Sequence, residues 1–232
     1  MELIWQGLVE AVRLLLAGDP GVMEITWLSI KISGTATALS LFLGIPAGVA
    51  LALTRFVGRK FLVAVVNTGM GLPPVVVGLF VSIFLWRSGP LGAWELLYTP
   101  TAIVIAQFVI AAPIVTGLTI AAMQQLNPRL RLQLIALGAS RWQMLLLLMR
   151  EARLPLLAAV MAGFGGVISE VGASIMVGGN IKGYSRVLTT ATVMETGRGN
   201  FDVAIALSII LLLLAYLINL VLTQVQQRER AR

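Results

Sequence analysis

Long apolar runs, separated by short stretches rich in glycine or in basic residues, set the pattern of this chain. A helix needs about 20 consecutive apolar residues to cross about 30 Å of hydrocarbon. Five intervals meet that length: 27–53, 61–86, 101–123, 154–177 and 203–225. The runs are too long and too continuous for barrel strands, and a helix satisfies its own backbone within lipid. The pattern predicts an all-α polytopic membrane protein with five transmembrane helices. Residues 1–18 differ. Glu2, Gln6, Glu10 and Arg13 fall at helical spacing on one face, with Leu3, Trp5, Leu8, Val9 and Val12 elsewhere. That segment reads as an N-terminal interfacial helix, with a sixth, short span as the alternative.

Composition agrees with the pattern. Of 232 residues, 58% are hydrophobic and 12% charged, and the mean hydropathy is +0.94. A soluble domain carries about twice that charged fraction. The net charge of +7 raises the possibility of a nucleic-acid partner, but the basic residues sit at the ends of apolar runs, where they set membrane orientation instead. Arg55, Arg59 and Lys60 follow the first run. Arg129, Arg131, Arg141, Arg150 and Arg153 follow the third, and Arg228, Arg230 and Arg232 follow the last. These all fall on one side. Arg87, Lys182, Arg186 and Arg198 fall on the other, among Glu24, Glu95, Glu195 and Asp202. The expected topology has the N-terminus outside and the C-terminus in the cytoplasm. The acidic start, without a basic n-region, argues against a cleaved signal peptide. One domain is expected over 1–232, with a core of about 24–227. The chain has no cysteine and no histidine, which excludes disulfides, thiol catalysis and the commonest metal ligands.

The apolar background breaks longest in a loop at about 124–153, predicted to be cytoplasmic. It is helix-forming and basic, and Ala136-Leu137-Gly138-Ala139-Ser140-Arg141 lies inside it. Gly138 interrupts a helical pattern and permits a turn between two short helices. The loop reads as a docking surface, or more simply as an ordinary helix–turn–helix. Glu170 is the only acid deep within an expected span. Ionisable groups in a membrane are functional by default, but a carboxylate lining an anion pathway repels its cargo. A hydrogen-bonded structural role stands beside a gating role. Pro73 and Pro74 lie about a third of the way into the second run. They kink that helix, either to bend a pathway or to pack it. Gly44 and Gly48 permit close helix approach. Residues 178–202 are too polar for a span and read as a re-entrant or surface helix over 184–196, or as a solvated loop with turn glycines. Asn180, Ser185, Thr189, Thr190 and Thr192 offer neutral donors there, and Lys182, Arg186 and Arg198 offer positive charge.

The Ala-Leu-Gly-Ala-Ser run, the amphipathic helix after it and the five spans resemble the membrane subunit of a type I ABC importer. Leu132-Gln133-Leu134 stands where that family places Glu-Ala-Ala. Ser169-Glu170-Val171-Gly172-Ala173 with Val177-Gly178-Gly179-Asn180-Ile181 is similar to the oxyanion branch, which handles molybdate, tungstate and sulfate. Gly71-Leu72-Pro73-Pro74-Val75-Val76-Val77-Gly78, Arg87-Ser88-Gly89-Pro90-Leu91-Gly92, Arg150-Glu151-Ala152-Arg153 and Thr189-Thr190-Ala191 resemble tungstate permeases most. The resemblance covers about 27–210 and implies the type I importer permease fold. It makes 136–141 the coupling element for an ATPase, and Pro73, Pro74, Glu170, Gly172, Asn180, Thr189 and Thr190 candidates for the pathway or its gate. It also implies a homodimer in a prokaryotic plasma membrane, two ATPase subunits and an extracytoplasmic oxyanion-binding protein. The chain contains no G-x-x-x-x-G-K-[ST], so ATP and magnesium are expected on the partner ATPase. No catalytic residue, metal or cofactor is expected in this chain. A secondary transporter or a membrane scaffold are the rival classes; the first calls for internal repeats and ion-coordinating acids.

Overall fold

The computed structural model describes residues 2–230, with side chains through residue 227; the tail cations Arg228, Arg230 and Arg232 lie outside the described side chains. Among the described residues there are α-helices and one 3-10 turn, with no strand. In chain order the helices are α1 (Glu2–Ala17), α2 (Pro20–Leu53), α3 (Arg59–Met70), α4 (Pro74–Leu85), α5 (Pro100–Gln124), α6 (Pro128–Ala136), α7 (Arg141–Glu151), α8 (Arg153–Ile168), α9 (Gly172–Gly178), α10 (Leu188–Gly197) and α11 (Phe201–Arg230).

Several helix starts are written locally. Asp19 accepts a hydrogen bond from Val22 N at 2.9 Å ahead of Pro20, and Thr99 accepts from Ala102 N at 3.3 Å ahead of Pro100. Asn127 accepts from Arg129 N at 2.9 Å ahead of Pro128. Each pairs a polar cap with a proline whose missing N–H costs nothing in the first turn.

Among the described residues, three uninterrupted helices are long and apolar enough to cross a membrane: α2, α5 and α11. The expected spans 61–86 and 154–177 are not single helices. The first is α3 and α4, bent by 106°, and the second is α8 and α9, bent by 58°. Counting each bent pair as one crossing gives five. The first break follows from Gly71-Leu72-Pro73-Pro74: Pro73 cannot donate, and proline drives the residue before it out of the helical region. The second break has no proline.

Helix α5 is the centre, packed by α2, α8, α3, α9 and α4. Gly44 and Gly48 of α2 lie directly on it. A Cβ on Gly48 would come within 2.8 Å of Thr116 O and 2.6 Å of Thr119 Cβ, so small residues set the helix separation here. At one end Val49, Met123, Leu148, Ala152 and Leu156 form a shared core. This brings the end of α2, the end of α5, the α6–α7 hairpin and the start of α8 together. Leu154 and Pro155 also border Thr223 and Gln226 of α11. The basic residues near positions 55–60 and 129–153 therefore share one end of the bundle.

Helix α1 packs along α11. Gly7 sits where a Cβ would strike Ile205, and Ala11 is fully buried. Ile4, Trp5, Leu8, Val12 and Leu16 stay exposed on a separate face from Glu2, Gln6 and Arg13. The helix thus has three faces, where the sequence reading distinguished two.

Candidate functional site

Two regions gather the residues singled out in the sequence. The first is the α6–α7 hairpin. Helix α6 ends in a Schellman arrangement: Ala139 N donates to Leu134 O and Gly138 N to Ile135 O, both at 3.0 Å. Gly138 takes φ +75°, the left-handed conformation that this motif reserves for glycine. Ser140 then caps α7 reciprocally. Gln143 N donates to Ser140 Oγ at 3.3 Å, and Ser140 N donates to Gln143 Oε1 at 2.8 Å. Local sequence alone makes this turn rigid. Its rim is apolar and open: Leu137 is 82% exposed and Trp142 77%, with Leu132, Ile135 and Leu146 exposed beside them. A contiguous exposed apolar patch of this kind lies against a partner or against lipid. Arg131 reaches back to donate to Leu53 O at 3.5 Å and ties the hairpin to α2.

The second region is the break between α8 and α9. Glu170 is 7% exposed. Its Oε1 accepts from Ala173 N at 2.9 Å and so caps α9. Its backbone carbonyl accepts from Thr189 Oγ1 at 2.9 Å, which hangs α10 on the break. Gln107 of α5 donates through Nε2 to Val167 O at 3.0 Å. Ser169 Oγ donates to Gly165 O at 2.9 Å. Ser29 of α2 accepts from Leu188 N at 2.9 Å, and Thr190 Oγ1 accepts from Val187 N at 3.1 Å. Backbone groups freed by broken helices inside a membrane need such partners.

Both breaks meet. A Cβ on Gly172 would come within 2.8 Å of Val75 Cγ2, and one on Gly78 within 2.7 Å of Ala173 Cα. The segment after Pro73 and Pro74 therefore lies against the segment after Glu170. Thr189 joins them by its hydrogen bond. Asn180 does not. It sits in the turn after α9 with φ +51°, its Oδ1 has no protein partner, and its carbonyl accepts from Arg186 Nη2 at 3.4 Å. That turn is closed by Ser185, which donates to Gly178 O and accepts from Ile181 N. The residues 136–141 lie in the hairpin, at the basic end and away from the breaks.

The segment 178–202 is not a solvated loop. Helix α10 begins at Leu188, four residues later than expected, and Leu188, Thr189, Thr190 and Ala191 are buried. Arg198 does not offer free charge: it pairs with Glu195 at 3.1 Å, and Asn200 bonds the same carboxylate at 2.7 Å. The sequence reading passed over Gln107 and Ser29. A lone amide within the run 101–123 was the available signal for the first. Among the described residues no group of three or more acidic side chains converges as a metal site would require.

Residues 44–231 match the model of the family described as the binding-protein-dependent transport system inner membrane component. The chain is 40% identical to the tungstate uptake system permease protein of Peptoclostridium acidaminophilum, over 98% of this chain and all of that protein. It is 39% identical to a probable anion ABC transporter permease protein of Haloferax volcanii, over 91% of this chain and 93% of that one. In fold it is similar to a chain of the MetNI methionine ABC transporter in an inward-facing conformation, with a TM-score of 0.74, 21% identity, and coverage of 90% and 94%.

Proposed function

The chain belongs to the family of binding-protein-dependent transport system inner membrane components, and from that premise we propose that it is the permease subunit of an ABC importer for an oxyanion, tungstate. The observation that carries this reading is the 40% identity to a tungstate permease along that protein's entire length. The chain supplies the path and a partner supplies the ATP chemistry. Its exposed apolar tip at Ile135 and Leu137, set by the Gly138 turn, is the face offered to a separate ATPase subunit. That face lies at the basic end, which the positive-inside rule assigns to the cytoplasm. The N-terminus is then outside and the C-terminus inside, in a prokaryotic plasma membrane.

Five crossings do not enclose a path by themselves, so two copies related by a two-fold axis form it. An extracytoplasmic binding protein delivers the anion at the opposite end. ATP-driven closure of the ATPases favours one of two states of the dimer by differential contact. Glu170 spends its carboxylate on capping α9, which fits a structural role better than an anion contact. Two like unit charges 4 Å apart repel by about 4 kcal/mol at an effective dielectric of 20. The neutral hydroxyls and amides of Asn180 and Thr189, with Pro73, Pro74 and Gly172 shaping the breaks, are the pathway candidates.

The test is uptake by proteoliposomes containing this chain, the ATPase and the binding protein encoded with it. Labelled tungstate should accumulate only with ATP, and unlabelled tungstate should compete better than molybdate or sulfate. Preferred uptake of either of the others reassigns the cargo within the same family. Accumulation without any ATPase, driven by an ion gradient, overturns the importer reading.

A further inference from the structure

An apolar groove of about 400 Å³ runs between the last third of α2 and the outer face of α7. Ile45, Val49 and Leu53 line one wall, and Trp142, Leu146 and Met149 the other. The α7 residues recur at helical spacing, so one face of that helix is given to the groove. We propose that the groove holds one acyl chain of an anionic phospholipid, with its phosphate at the arginines that close the groove's basic end.

Depth is the first argument. From residue 32 to residue 53, α2 carries no charged side chain, so this stretch is the part immersed in hydrocarbon. The lining from Ile45 to Thr54 covers about 14 Å at 1.5 Å per residue. That is half of a hydrocarbon core about 30 Å thick, the depth of one leaflet. An ATPase docked beneath the hairpin does not reach so far along a membrane helix.

Charge is the second. Arg59 donates through Nε to Leu51 O at 2.6 Å, and Arg131 donates to Leu53 O at 3.5 Å. Both guanidiniums are thereby fixed beside the last turn of α2, where Leu53 and Thr54 line the groove. Each keeps further N–H donors, in the planar fork that suits phosphate. Arg55 is exposed next to them. The only acid between Glu95 and Glu170 in the chain is Glu151, so the headgroup region is strongly positive. Trp142 beside this cluster has the amphipathic ring typical of a membrane interface.

The experiment is native mass spectrometry of the assembled permease–ATPase complex, extracted from membranes containing both phosphatidylglycerol and phosphatidylcholine. We expect retained phosphatidylglycerol at several-fold excess over phosphatidylcholine. Ala50 is exposed at the groove, and Ala50→Trp should fill the channel and remove that lipid while the complex stays assembled. Arg131→Gln should retain lipid but lose the several-fold headgroup preference. Unchanged retention in Ala50→Trp, or an unchanged headgroup preference in Arg131→Gln, overturns the proposal. The chain has no native cysteine, so Leu146→Cys gives an independent check. A disulfide joining two copies through residue 146 would mean that a second protomer fills the groove and would also overturn it; labelling of that thiol by a lipid-soluble maleimide without cross-linking supports the lipid.

Discussion

Two spans of this protein are broken, and they are broken by different means. Between α3 and α4 the chain turns through 106° at Gly71-Leu72-Pro73-Pro74. The cause is covalent and local. Between α8 and α9 it turns through 58° at Ser169-Glu170-Val171, with no proline and no glycine in those three positions. There the bend persists because side chains take over the backbone groups that the helix gives up. Gln107, Glu170 and Thr189 do this from three different elements. A proline break is a property of a segment; a capped break is a property of the packed bundle. The second kind is the one that a conformational change can make and unmake, because nothing covalent holds it.

That contrast is open to test by substitution. The largest effect should come from Glu170→Leu. It strands the buried Ala173 N–H, which costs about 1–3 kcal/mol, and the purified complex should melt at lower temperature. Glu170→Gln keeps an acceptor and should preserve both stability and substantial uptake. Loss of uptake by the Gln variant in a stable, ATP-hydrolysing complex would show that the charge itself is used.

Gly138→Leu probes the other local turn. A side chain at φ +75° costs about 1–2 kcal/mol. The cost falls on the hairpin, so membrane insertion should stay normal while uptake drops sharply. Unchanged uptake would remove the hairpin from the coupling role.

Gln107→Leu should cost less, about 1 kcal/mol. It takes the Gln107 amide from Val167 O, which keeps its bond from Glu170 N at 3.2 Å, and it also removes the unpartnered Gln107 Oε1. If α8 and α9 are held by caps, uptake per ATP should fall more than thermal stability does.

Pro73→Ala should be the mildest. Pro74 still stops the helix, and the change acts mainly through the freedom of the unfolded chain, about 0.4–1 kcal/mol. A large loss of stability here, exceeding that of Glu170→Leu, would reverse the comparison.

The sequence made much of this legible where the physics is short-range. Apolar runs marked the three long helices and the two bent pairs, and the basic residues near 55–60 and 129–153 gathered at one end as expected. The Ala136-to-Gln143 turn is encoded by its own glycine, serine and glutamine. The α8–α9 break was not legible, because Val167, Ile168 and Val171 carry the apolar run straight through it. Its supports come from 60 positions away in Gln107, while Ser29 reaches Leu188 across 159. No local pattern encodes either pairing. The start of α10 was misjudged for the same reason: its first free amides are met by Ser29 and by Thr190, which delays the helix to Leu188. The third face of α1 was missed because Gly7 and Ala11, four apart, register as background in a hydropathy reading although they are the contact with α11.

Helix α2 has a mechanical role that follows from its bonds. Near one end its Leu53 carbonyl holds Arg131 of the hairpin; near the other its Ser29 hydroxyl holds the first amide of α10. Between them Gly44 and Gly48 seat it against α5 with no clearance. It is a lever with a fulcrum, about 36 Å long from residue 29 to residue 53 at 1.5 Å per residue. A tilt of about 5° about that fulcrum would sweep the Ser29 end, about 25 Å away at 1.5 Å per residue, through about 2 Å, enough to part Ser29 from Leu188.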